Sequence, residues 1–151
     1  MFAKRIMHTA ILMAVVNSTG YAEDKADLSG NDIRTAIRKS IPLIEIASAG
    51  SAKKRKCFTC HNQGLAVLAL VEARQHGFTI DKKNLDVQLK HTAAHLRRGK
   101  TNYLKGKGQG GRVSTAGHAL WALEAGGRKP NETTAAVTEY MLLFRKKSGY
   151  W

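Results

Sequence analysis

Cys57-Phe58-Thr59-Cys60-His61-Asn62-Gln63-Gly64-Leu65-Ala66-Val67-Leu68-Ala69-Leu70-Val71 decides how this chain folds. Its second half is apolar on every side, which predicts a buried helix, here running over residues 57–76 and stopped by Gly77. Working outward, the same 3.6-residue periodicity recurs, broken by glycine, while proline is nearly absent and strand-like alternation is hard to find. A first helix is expected over residues 32–49, capped by Asn31, with Ile33, Ile37, Ile41 and Ile44 on one stripe and Pro42 bending or interrupting it. Asp81 is expected to cap a third helix reaching Arg98, with Leu85, Leu89 and Leu96 facing inward and Gly99 as its stop. A fourth helix follows over residues 114–124, and a fifth begins after Pro130-Asn131 and runs to about Lys147. Five helices with short connections predict an all-α protein. The linker Lys105-Gly106-Lys107-Gly108-Gln109-Gly110-Gly111 lacks the Lys-Ser/Thr ending of a phosphate-binding loop and reads as a flexible connection.

The first five residues of that stretch hold both cysteines of the chain. Cys-x-x-Cys-His is the spacing by which haem is tethered covalently. Two thiols three positions apart meet the two vinyl groups of one porphyrin, and the adjacent imidazole reaches the iron. On this reading Cys57 and Cys60 carry the haem and His61 is the proximal ligand, with one haem c per chain. Two other chemistries stay open. The thiols can close a small disulfide or act as a redox-active dithiol, or Cys57, Cys60 and His61 can hold a metal together with another histidine. For a sixth iron ligand, Met141 sits at an apolar position suited to packing, which leaves the histidines. His91 and His95 lie one helical turn apart, and His118 stands among Ala116, Leu120 and Trp121. A bis-histidine iron would favour electron transfer, and an open position would favour ligand binding.

The N-terminus supplies the exported context that haem attachment needs. Lys4 and Arg5 precede the apolar run Ile11-Leu12-Met13-Ala14-Val15-Val16, and Gly20 and Ala22 occupy the −3 and −1 positions of a cleavage site. Residues 1–22 are therefore expected to be a signal peptide and residues 23–151 the mature helical domain, periplasmic or secreted. The apolar run is short for a bilayer span, and no later segment is apolar for long enough, so no transmembrane segment is expected in the mature chain. Losing Lys4 and Arg5 takes the formal charge from +14 to +12. That balance points to acidic partners; nucleic acid is not expected for an exported chain without a recognisable binding motif. Lys53-Lys54-Arg55-Lys56 lies directly before Cys57, where it would steer an acidic redox partner protein or lower the thiol pKa.

Cys57-Phe58-Thr59-Cys60-His61-Asn62-Gln63, the alanine- and leucine-rich helix after it, and Glu72-Ala73-Arg74-Gln75-His76-Gly77-Phe78 resemble a group of exported bacterial proteins. These combine a Cys-x-x-Cys-His-x-Gln segment with the α/α-toroid repeats of squalene cyclases and prenyltransferases. Ser114-Thr115-Ala116-Gly117-His118-Ala119-Leu120 and Asn131-Glu132-Thr133-Thr134 fit the same pattern. At the C-terminus, Gly149 and Trp151 match the cyclase QW repeat, while Arg145 stands where its glutamine belongs. The resemblance spans about residues 31–151 and implies a partial α/α-toroid. Two and a half helix pairs do not close such a ring, which implies missing repeats in a truncated chain or self-association. Cyclases protonate their substrate from an Asp-rich motif, and none is present. A degenerate terpene-cyclase-like protein is thus one alternative, and a non-haem binding scaffold with a structural or redox-active Cys57–Cys60 pair is another. No residue set supports a catalytic assignment.

Overall fold

The computed structural model describes residues 29–145. The expected signal peptide and the Gly149–Trp151 end of the QW-like segment lie outside them. The described chain forms five helices and no strand: α1 (Gly30–Lys54), α2 (Leu65–Gln75), α3 (Lys82–Leu104), α4 (Arg112–Ala125) and α5 (Glu132–Leu143), with a π-helical turn over Cys60–Gly64 leading into α2. The all-α expectation holds for these residues.

The helix ends correct several expectations. Ser29, not Asn31, caps α1, its hydroxyl accepting from the Asp32 amide at 3.2 Å. The helix also continues through Pro42 to Lys54, so the proline removes one backbone donor without ending it. Asp81 caps α3 as anticipated, accepting from the Lys83 and Asn84 amides. Asn131 caps α5 in a reciprocal capping box with Thr134.

Gly99 does not stop α3, which runs on to Leu104. A Cβ there would lie 2.2 Å from the Gln109 side-chain carbonyl carbon, so glycine is needed for close approach and not for termination. The glycine-rich linker is likewise packed. Gly108 has φ +64° and presses against the Tyr140 ring, leaving no room for a side chain.

The core forms around α3, which packs on each of the other four helices. Leu85, Leu89, Leu96 and Tyr103 meet Val67, Leu70, Ala119, Ala122, Val137 and Tyr140, all buried. Helix α2 was expected to be the most buried element, and Ala66, Val67, Leu70, Val71 and Ala73 of its 11 residues are buried. Val67, Leu70 and Val71 face the core, but Leu65 is 52% exposed and Ala69 is exposed, leaving an apolar seam open between α1 and α2.

Candidate functional site

The cysteine motif occupies the entry to α2 and is only partly helical. Arg55 and Thr59 have extended backbones, and regular turns begin only at Cys60. Cys57 and Phe58 therefore precede the helix rather than opening it, a correction to the helix expected from residue 57. The π turn adds one residue per turn, with the Gly64 amide bonding back to the Thr59 carbonyl at 3.3 Å. Such turns are rare and recur at functional sites.

Four side chains hold this entry segment in place. Gln63 is fully buried. Its Oε1 accepts from the Thr59 amide at 2.9 Å and the Thr59 hydroxyl at 2.6 Å, while its Nε2 donates to Ser51 Oγ at 2.8 Å. The segment is thereby stapled to itself and to α1. From α3, His91 Nε2 donates to the Cys57 carbonyl at 3.1 Å, and Arg98 donates to the Lys56 carbonyl. Phe58, 3% exposed, plugs the segment into the core. Its ring reaches to within 3.1 Å of where a Cβ on Gly64 would stand, and its centroid lies 6.1 Å from that of His95.

This scaffold turns the chemistry outward. Both thiols are free, Cys57 exposed and Cys60 half-buried. His61 is exposed, with its Nδ1 4.0 Å from Cys60 Sγ, and its Nε2 has no partner among the described residues. Beside it runs a cleft of about 250 Å³ between α1 and α2, lined by His61, Ile44, Ala47, Leu65, Ala66 and Ala69. A hydrophobic macrocycle on Cys57 and Cys60 needs such a surface next to the iron ligand: accessible thiols, an imidazole with one bare nitrogen, and an open apolar wall. The residues present fit a covalent haem by that measure. Among the described residues no three His, Cys, Asp or Glu side chains converge as a metal-ion site, so the four-ligand metal alternative finds no assembled set.

The other histidines are dispersed. His91 is committed to the Cys57 carbonyl. His95 is 7% exposed behind Phe58, with Nε2 buried and unpartnered; burial first, then Arg98 and His91, pushes its pKa down to about 4. His118 lies on α4, which packs on the π turn; its Nδ1 donates to the Ser114 carbonyl at 2.8 Å, leaving Nε2 as the bare nitrogen. Sequence reasoning passed over Phe58, Gly64 and Arg98. A bulky aromatic between the two cysteines was the available signal for a buried plug.

The basic stretch Lys53–Lys56 is exposed, and none of the ion pairs among the described residues involves it. No described helix is long and apolar enough to cross a membrane. No protein-family model, curated protein or solved structure matches the chain.

Proposed function

We propose that this protein is an exported c-type haem protein in which Cys57 and Cys60 form the thioether links, His61 is the proximal ligand, and the role is electron transfer or haem-dependent redox sensing. One observation carries the reading. His61, with a bare Nε2, lines an apolar cleft, and two free thiols stand just before it on the same pre-built segment. When bound, haem supplies a one-electron couple at its iron.

The chain's own residues supply the positioning. Gln63, His91 and Arg98 hold the backbone around the thiols, so little conformational entropy remains to be lost when two side chains must be attached in one register. Leu65, Ala66 and Ala69 offer an apolar wall beside His61. Lys53, Lys54, Arg55 and Lys56 give the neighbouring surface an uncompensated positive field, suited to an acidic redox partner protein. The five helices are proposed to be part of a longer α/α-toroid-like array in the periplasm or outside the cell. The open α1–α2 seam supports that, because repeats of this kind cover such faces with their neighbours.

Expression with a cytochrome c maturation system, followed by a pyridine haemochrome spectrum and intact mass, tests the reading. A covalent haem adduct that disappears in Cys57→Ser and Cys60→Ser is expected. Absence of the adduct, with a mass two protons low, would assign the pair to a disulfide and remove the haem role.

A further inference from the structure

The Lys56–Phe58 segment rests on one face of α3. His91, His95 and Arg98 are spaced so that successive turns of that helix lie under it. Two of them hold backbone carbonyls: His91 that of Cys57, at 3.1 Å, and Arg98 that of Lys56. Between them His95 meets the segment through its ring alone, stacked obliquely on Phe58, with interplanar angle 34° and Nε2 unpartnered. A neutral imidazole suits that place and an imidazolium does not. It would carry a buried charge with no acceptor for its Nε2–H.

We propose that the His91–His95–Arg98 face of α3 is a proton-operated latch on the Cys57–Cys60 segment. With His95 neutral, Phe58 is seated and the segment is closed. Protonation of His95 drives the ring toward water, unseats Phe58 and frees the segment, while the rest of the bundle stays folded. The device concerns the segment itself and holds whatever the two thiols carry.

The surroundings of His95 bear on its sign. On α3 the charged or titratable neighbours are Arg98 and His91, and both disfavour a further positive charge. From the segment before the π turn come Lys56 and Cys57, held by α3 through their carbonyls. From the α3–α4 connection comes Gln109, neutral, whose Nε2 donates to the His95 carbonyl at 3.2 Å. From α4, His118 lies near Gly64, as the Phe58 ring does, with its Nδ1 held by Ser114. His91 Nε2 has the Cys57 carbonyl as its acceptor, whereas His95 Nε2 has none, so His95 is the member of this face that a proton unseats.

Hydrogen exchange read by mass spectrometry, on the full chain with its thiols reduced, tests the latch. The probe is the peptide covering residues 56–64, corrected for intrinsic exchange. Between pH 7 and pH 4.5 its opening should rise on the order of a hundredfold, given a folded pKa of about 4 against 6.5 when free. Peptides from α4 and α5 should keep their protection. In His95→Phe the rise should vanish while protection at pH 7 is kept. If that variant does not fold, Arg98→Met serves, because loss of one carbonyl tether must open the segment already at pH 7. The proposal is overturned by a wild-type segment that stays closed at pH 4.5, or by an unchanged rise in His95→Phe. Simultaneous loss of protection in α4 and α5 overturns it too, as does an Arg98→Met segment as closed as wild type.

Discussion

Replacing Gly99 with alanine sets two physical effects of opposite sign against each other. Residue 99 is interior to α3, and alanine there gains about 1 kcal/mol over glycine from backbone entropy and propensity alone. Against that, a Cβ would stand 2.2, 2.5 and 2.6 Å from the Gln109 Cδ, Oε1 and Nε2. The amide cannot swing away freely. Tyr103 donates to its Oε1 at 2.7 Å, and its Nε2 donates to the His95 carbonyl at 3.2 Å. Displacing it breaks two hydrogen bonds and leaves the Tyr103 hydroxyl unpaired in a residue only 2% exposed. Such losses cost about 1–2 kcal/mol each. The balance is a net destabilisation of about 1–3 kcal/mol, or roughly 4 °C in melting temperature per kcal/mol for a chain of this size. Gly50 supplies the control, being helical with nothing within 4 Å of a Cβ. Gly50→Ala should stabilise by about 0.5–1 kcal/mol. Urea denaturation followed by far-ultraviolet circular dichroism measures both. In a Gln109→Ala background the penalty of Gly99→Ala should disappear, because the clashing amide is gone. If Gly99→Ala shifts the midpoint upward like Gly50→Ala, the close approach is not there and the argument fails.

Two further changes probe the same packing. Gln63→Ala removes the acceptor of the Thr59 amide and hydroxyl and the donor to Ser51, and it leaves a cavity at a fully buried position. A loss of about 2–4 kcal/mol is expected in urea melts, with faster tryptic cleavage after Lys53–Lys56; a change under about 0.5 kcal/mol would contradict the staple. Tyr103 is pushed up to about 12, by burial first and by Tyr140 second. Its neutral form is the one the fold favours. The contribution is therefore complete below pH 10 and is lost as pH rises through 12, in total about 2–3 kcal/mol. Tyr103→Phe should flatten that alkaline slope relative to wild type in denaturation measured at pH 9 and pH 11, and an unchanged slope would assign the alkaline loss to other groups.

What was legible in the chain, and what was not, divides along a physical line. Helix existence, the cap at Asp81 and the start of α5 after Asn131 were legible, because periodicity and capping are local chemistry. Gly99 was misleading for the complementary reason. A glycine at a helix end and a glycine under a neighbouring side chain look identical until the Lys105–Gly111 turn brings Gln109 back over α3. Pro42 does not interrupt α1, since one missing donor does not outweigh the packing of Ile41 and Ser48 in the same helix.

In the motif itself the spacing exposed three polar atoms with evident chemistry and hid the residues that present them. Phe58 occupies a position the Cys-x-x-Cys-His pattern leaves free, and its partner His95 is 37 positions away, on a helix chosen by tertiary packing. The same is true of Arg98 and His91, whose bonds go to carbonyls and are blind to the residue type they hold. A pattern of side chains therefore foretells the reactive groups of this site and says little about their support. That support holds the backbone under the thiols, and it includes the buried imidazole of His95, whose protonation should let them go.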